Sequence, residues 1–261
     1  MGAGPLFGDP LGAGPAAVCD SRYDAAIVRL RLLPTAGSVL VLALGVLTGC
    51  GSSSSSNNIA SKSATEILSE SKAAADGASS VHVSGSIKSG AAPVTIDLNL
   101  AAGKGARGEI SENGASFKLI LVGGTAYISG SPAFYRGLGG SAAAQLLDGK
   151  WLKASATTGE FASFNSLANM RQLIDTTLAA HGVLTKGATS TVNGQQAIAI
   201  TDTDKTGTLY VATTGKPYPV AIVKGGSESG KIVFSDWNQP VTITAPSDSV
   251  DLSELKALAG H

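Results

Sequence analysis

The chain has 261 residues, 43% of them hydrophobic and 15% charged, with 19 basic residues set against 19 acidic ones. That balance argues against a nucleic-acid binder, which should carry a basic excess, and the length suits one sizeable domain rather than two. Aromatic residues make up 5% and there are 33 glycines, so a core must be built mainly from Leu, Ile, Val and Ala.

The N-terminal part reads as a processing signal. Arg29 and Arg31 form a short basic region, and Val39 to Leu47 is a nearly unbroken apolar run. Leu47-Thr48-Gly49-Cys50 follows, in the order of a bacterial lipobox: an aliphatic residue, a small residue, Gly or Ala, then Cys. Small residues let an extended chain enter a narrow peptidase site, and the thiol of Cys50 would accept a diacylglycerol before cleavage. The apolar run falls short of the ~20 residues a transmembrane helix needs. Residues 28–49 are therefore expected to be the signal peptide. Residues 1–27 are rich in Gly, Ala and Pro without periodicity, and valine is a common reading of an alternative start codon, so translation is expected to begin near Val28. The two cysteines are Cys19 and Cys50, and cleavage would leave only the lipidated one, without any disulfide. Residues 50–62 form a Ser-rich tether, whose flexible part has an r.m.s. reach of roughly 20 Å. One domain is expected over residues 63–261.

Within that domain, Ser63-Ala64-Thr65-Glu66 is a capping box, so a helix is expected to about Ala75, with Gly77 at its end. Strands follow at 81–87 and 94–100. In the second, Val94, Ile96, Leu98 and Leu100 alternate onto one face. Three more strands, 105–110, 117–122 and 125–128, are separated by Asn113-Gly114 and Gly123-Gly124, dipeptides that admit the positive φ of tight hairpins. A helix over 134–147, an extended piece at 150–153 and a helix over 167–180 interrupt the meander. Leu167, Met170, Leu173, Ile174 and Leu178 form a stripe at helical spacing on the latter. Strands return at 189–192, 195–201, 207–212, 218–223 and 231–234. An extended piece at 241–244 and a short helix over 251–258 close the chain. Strands, helices, then strands again is the order of an α+β domain on an antiparallel sheet.

Motifs for chemistry are sparse. Gly225 to Lys231 fits the first seven positions of a P-loop, but Ile232 stands where Ser or Thr should hold Mg²⁺, and a strand follows instead of a helix. It reads as a hairpin turn. Asp202 to Gly207 opens like a calcium loop, but Thr213 occupies the position of the bidentate Glu. It too reads as a turn. His82, His181 and His261 are isolated in sequence, so no catalytic residue, cofactor or metal site is expected. His82 alternates with Val81 and Val83 and is expected to face solvent. Trp151 and Trp237 read as core or sheet-edge anchors.

The order of lipobox, Ser-rich tether, capped helix, meander, helical section and further strands resembles the LppX/LprA/LprF/LprG lipoproteins of mycobacteria and their actinobacterial relatives. The segments that carry the resemblance are Gly124-Thr125-Ala126-Tyr127-Ile128, Phe134-Tyr135 and Gly149-Lys150-Trp151-Leu152-Lys153. It implies a fold related to the LolA/LolB carriers: a strongly curved antiparallel β-sheet, or half-barrel, with helices covering its concave face. It also implies an apolar cavity for acyl chains. The partners would be a lipid or glycolipid, the membrane through the anchor, and a transporter or other envelope protein. The chain would then face the extracytoplasmic side of the cell membrane and be no enzyme. Val94, Ile96, Leu98, Leu100, Leu167, Met170, Leu173, Ile174 and Leu178 are the candidate cavity-lining residues. The same apolar faces would equally serve a filled core, in an envelope protein whose partner is another protein.

Overall fold

The computed structural model describes residues 55–89, 92–179, 182–204, 207–226 and 229–259. Cys50, the expected signal peptide, His181 and His261 lie outside them. The first α-helix, α1 (Ala64–Asp76), starts where the capping box places it. The Ser63 N–H donates to Glu66 Oε2 at 2.9 Å, and the Glu66 N–H donates to Ser63 Oγ at 3.4 Å.

Among the described residues, twelve strands make one sheet: β1 (Ser80–Ser89), β2 (Ala92–Ala101), β3 (Gly105–Glu112), β4 (Ala115–Val122), β5 (Thr125–Gly130), β6 (Trp151–Ser155), β7 (Leu184–Val192), β8 (Gln195–Asp202), β9 (Gly207–Ala212), β10 (Pro219–Lys224), β11 (Gly230–Ser235) and β12 (Ser249–Asp251). Their spatial order is β12-β6-β5-β4-β3-β2-β1-β11-β10-β9-β8-β7. Two meanders are thus joined edge to edge, β1 pairing with β11 through His82↔Ser235 to Ile87↔Gly230. All pairings are antiparallel except β12 on β6. The sheet is strongly curved and not closed, a half-barrel with helices on its concave side. Close backbone approaches accompany the bending. At Gly108, φ is +159° and an added Cβ would stand 1.9 Å from the Asp97 carbonyl oxygen, a position only glycine tolerates.

Among the described residues four more α-helices follow: α2 (Pro132–Leu146), α3 (Asn165–Ala168), α4 (Met170–Ala179) and α5 (Leu252–Ala259). Ser131 caps α2, with Pro132 in its first turn, and Gly139 and Gly140 kink it. The helix expected over 167–180 is instead two. Asn169 is extended (φ −104°, ψ 91°), and its Oδ1 accepts the Gln172 N–H at 3.1 Å. The amide side chain caps α4 at the expense of continuity, as Asn does when it can bond nearby backbone.

Two further expectations change. Residues 241–244 form no strand; the segment carries Pro240 and Pro246 at its flanks and the last strand is β12. The folded unit also starts before Ser63. Ile59 is 1% exposed, and Asn57 Nδ2 donates to the carbonyls of Ala212 and Gly215 at 3.0 and 3.1 Å. Lys186 Nζ ties down the carbonyls of Ala60 and Lys62. The last residues of the expected tether are therefore part of the unit spanning Gly51–His261.

The core follows strand alternation. Val81, Val83, Leu98, Leu100, Leu119, Leu121 and Ile128 are buried on the concave face, where Ile67 of α1 and Met170 and Ile174 of α4 join them. Tyr135 of α2 is fully buried. Its hydroxyl accepts the Gly130 N–H at 2.9 Å and points at the Lys150 carbonyl at 3.2 Å, fastening α2 to the end of β5 and the start of β6. Burial raises the Tyr135 pKa above the usual phenol value, with the Gly130 N–H pulling the other way.

Candidate lipid cavity

The space between helices and sheet is filled in one half and hollow in the other. Under β8 to β11 the concave face is arranged in register rows. Ile200, Leu209, Ile222 and Ile232 stand side by side in one row, through the pairs Ile200↔Leu209, Leu209↔Ile222 and Ile222↔Ile232. Toward the strand ends the next row is Asp202, Gly207, Lys224 and Gly230, with Ile87 of β1 opposite Gly230. In the other direction lie Ile198, Val211 and Phe234, all buried.

Above the first two rows is a cavity of about 380 Å³. Leu68 of α1, Leu178 of α4 and Leu184 of β7 line it from the sides. Its inner part is wholly aliphatic, a surface water solvates poorly. Its polar members are Thr177, Asp202, Thr208 and Lys224. The mouth is open at Gly207, a strand position without a side chain. At Gly207, nothing lies within 4 Å of where a Cβ would stand.

Asp202 shapes this mouth. It is 7% exposed, and its Oδ2 and Oδ1 accept the N–H groups of Gly182 and Asp204 at 3.0 and 2.9 Å. Asp204 in turn accepts the Val183 N–H at 3.1 Å. The calcium-like segment is thus the β8–β9 hairpin, its carboxylates accepting backbone N–H groups. The P-loop-like segment is likewise the β10–β11 hairpin, with Lys224 paired to Gly230.

The sequence-predicted residues are distributed unevenly. Leu178 lines the cavity. Leu98, Leu100 and Ile174 belong to the closed core, and Ile96, Leu167 and Leu173 are half-buried against it. Val94 is half-buried on the same strand face. Met170, 1% exposed, borders a second groove of about 680 Å³ at the opposite end of α4. That groove is polar, edged by Asn165, Asn169, Gln172 and the Gly123-Gly124 turn, and Arg171 there donates to the Asp76 carbonyl at 2.9 Å. The residues sequence reasoning missed are Ile200, Leu209, Ile222 and Ile232. Ile200 and Leu209 alternate within their strands, whereas Ile222 and Ile232 lie in the continuous apolar runs Val220 to Val223 and Ile232 to Phe234, which carry no signal of facing. Nothing in a single strand says which row the helices leave uncovered.

On the convex face, His82 lies between Ser235 (Nδ1 to Oγ, 3.1 Å) and Asp97 (Nε2 to Oδ1, 2.9 Å). The three residue types are those of a hydrolytic triad, but the roles do not fit. The Ser235 hydroxyl donates to Asp236 at 3.1 Å, which turns its proton away from the imidazole. The imidazole is a cross-strand staple joining β2, β1 and β11. Trp237 stacks on Tyr218, with centroids 4.6 Å apart, and donates to the Pro219 carbonyl at 3.1 Å, an anchor as expected. Among the described residues no group of three or more His, Cys, Asp and Glu could hold a metal ion, and no helix is long and apolar enough to cross a membrane.

No protein-family model and no curated protein sequence matches the chain. Among solved structures, LprF from Mycobacterium bovis superposes with a TM-score of 0.51 at 16% identity, over 70% of this chain and 96% of that one. The lipoprotein LppX from Mycobacterium tuberculosis follows with a TM-score of 0.46 at 20% identity, over 69% and 99% of the two chains. MucB matches at 0.36 and 17%, over 71% of this chain and 63% of its own. The chain has the fold of LprF, the fold that its resemblance to the LppX/LprF lipoproteins implied.

Proposed function

We propose that the chain is a lipoprotein of the cell envelope, anchored through Cys50 on the extracytoplasmic side, that shelters acyl chains of a lipid or glycolipid and carries them within the envelope. The observation that carries this reading is the aliphatic cavity between α1, α4 and the β8–β11 rows. A hollow of this size and lining offers nothing to a polar substrate and a dry seat to a hydrocarbon. The LprF fold and the lipobox support the same reading, and no catalytic role is included in it. Native mass spectrometry of residues 51–261, made without the segment ahead of them, tests the cargo. A co-purified lipid mass that organic extraction removes is the expected result. A second reading, an envelope protein that binds a protein partner, is favoured by the closed packing of Leu98, Leu100, Leu119 and Leu121 under β2 to β4. Protein that carries no lipid, and takes none up from vesicles, would select it. The anchor has its own test: Cys50→Ala should block acylation and cleavage, and a mature N-terminus mapped anywhere but Cys50 would remove that part of the proposal.

A further inference from the structure

Asn57 and its neighbours tie the chain to one end of β9, and the cavity opens at the other. Ser56 bridges Thr214. The Asn57 N–H donates to the Thr213 carbonyl at 2.9 Å, and its side-chain amide donates to the carbonyls of Ala212 and Gly215. Ile59, 1% exposed, is buried in the core just behind, and Lys186 holds the carbonyls of Ala60 and Lys62. Main-chain bonds, side-chain bonds and core burial together make this segment a pin.

The strand sets the distance from pin to mouth. Gly207 opens the mouth, and Ala212 and Thr213 hold Asn57. From Gly207 to Thr213 an extended chain rises ~20 Å, at ~3.3 Å per residue. The chain from Cys50 to Ser56 spans at most ~21 Å when fully drawn out. A mouth seated squarely on the bilayer that holds Cys50 would raise the pin ~20 Å above it. That pose needs the whole leash straight, with the backbone freedom of each of its residues lost. With the pinned end toward the bilayer, the same leash keeps its slack.

We infer that the docked segment turns the cavity mouth away from the anchoring bilayer, so that cargo enters and leaves in trans, on the side facing away from the membrane that holds the protein. This rests on the readings of Cys50 as the anchor and of the cavity as the lipid site, and adds a direction to them.

The test uses the acylated mature protein in phosphatidylcholine vesicles. Acylation occupies the Cys50 thiol, so one introduced cysteine takes a fluorophore: Lys216→Cys, exposed beside the pin, or Lys88→Cys, exposed next to Ile87 of the mouth row and outside the cavity lining. Nitroxide-bearing headgroups should quench the label at 216 and leave the label at 88 bright. A Gly/Ser insert of twelve residues after Ser53 adds about 40 Å of reach and should bring the two labels to equal quenching. Pyrene-labelled phosphatidylglycerol placed in the anchoring vesicles should load the lengthened protein roughly tenfold faster than wild type, because a tether acts only when it spans the distance. Equal quenching of the two labels in wild type, or stronger quenching at 88, would overturn the orientation. Equal loading of wild-type and lengthened protein would overturn exchange in trans. Failure of both proteins to load would overturn the cavity reading, with the labels still deciding the orientation. Wild-type protein that does not float with the vesicles would overturn the anchor, and this inference with it.

Discussion

Gly207→Trp tests the cavity without disturbing the core. Residue 207 sits in the mouth row with ordinary negative φ, and nothing lies within 4 Å of where its Cβ would be built. Alternation points that Cβ to the same side as Leu209, into the hollow. The indole would cover on the order of 200 Å² of apolar surface, about the area of six methylenes of an acyl chain. At ~0.8 kcal/mol per buried CH₂, an acyl chain would lose about 5 kcal/mol, more than a thousandfold in affinity. Folding should be nearly untouched, because replacing glycine at a compatible position costs the folded state little and narrows the unfolded ensemble by about 0.4–1 kcal/mol. The assay pairs dodecanoate titration with urea melts on delipidated protein, since bound ligand would itself raise the apparent stability. A Gly207→Trp protein that folds and binds dodecanoate like wild type would refute the reasoning: the chain would then be seated elsewhere.

Leu98→Trp, in the filled half, should behave oppositely: the residue is 1% exposed, and overpacking it should cost about 1–3 kcal/mol by urea melt. Tyr135→Phe should cost about 1–3 kcal/mol, because the Gly130 N–H and Lys150 carbonyl lose their shared partner inside the fold. Its pH dependence has a definite sign: the Tyr135 pKa is raised in the folded state, so its contribution is complete below about pH 10, near the unfolded phenol value, and is lost as pH rises through the folded one. Melts between pH 7 and 11 should show that loss in wild type and less of it in Tyr135→Phe. Gly108→Ala should destabilise by more than about 1 kcal/mol, its Cβ meeting the Asp97 carbonyl, and circular dichroism melts would register it. Ser63→Ala should cost about 1 kcal/mol by removing the α1 cap.

Local signals in the sequence were read with little loss, because they are written by short-range physics. Asn113-Gly114 and Gly123-Gly124 both adopt the positive φ that two-residue hairpins require. The alternation of Val94 to Leu100 produces the expected face, and the capping box opens α1 where its residues say. Loss begins where two local preferences compete. The stripe from Leu167 to Leu178 is helical throughout, yet Asn169 bonds the Gln172 N–H and splits it. It grows with separation in sequence: β1 meets β11 across more than a hundred residues, and no residue of either strand specifies the other. The docked segment before α1 was missed for a related reason. A Ser- and Asn-rich run reads as tether, and one buried side chain, Ile59, with Asn57 reaching the Ala212 carbonyl, converts its end into part of the fold.

Why the hollow lies under β8–β11 and not under β2–β4 is a matter of what the helices bring down. Over β2 to β4 the covering side chains are long: Met170 and Ile174 from α4 and Leu167 from α3 belong to the same packed cluster as Leu98, Leu100, Leu119 and Leu121, with Phe117 against Phe134 and Phe164 at the edge. Over β8 to β11 the cover is the start and middle of α1 and the end of α4. The buried face of α1 carries Ala64, Ser71 and Ala75, leaving Ile67 and Leu68 as its large aliphatic contributions. Rows of Ile and Leu on the sheet thus meet a thin ceiling, and glycine at 207 removes a side chain that would close the end. Filling the ceiling should erase the site as surely as plugging the mouth. Ser71, fully buried with its hydroxyl lacking a hydrogen-bond partner, is the natural place to try. Ser71→Leu removes an unsatisfied hydroxyl, and if the side chain finds room toward the hollow the protein should gain stability while losing dodecanoate. If it meets the packed half instead, Ser71→Leu should lose about 1–3 kcal/mol to overpacking with the cavity unchanged. That outcome would place the boundary between filled and hollow halves on the other side of α1.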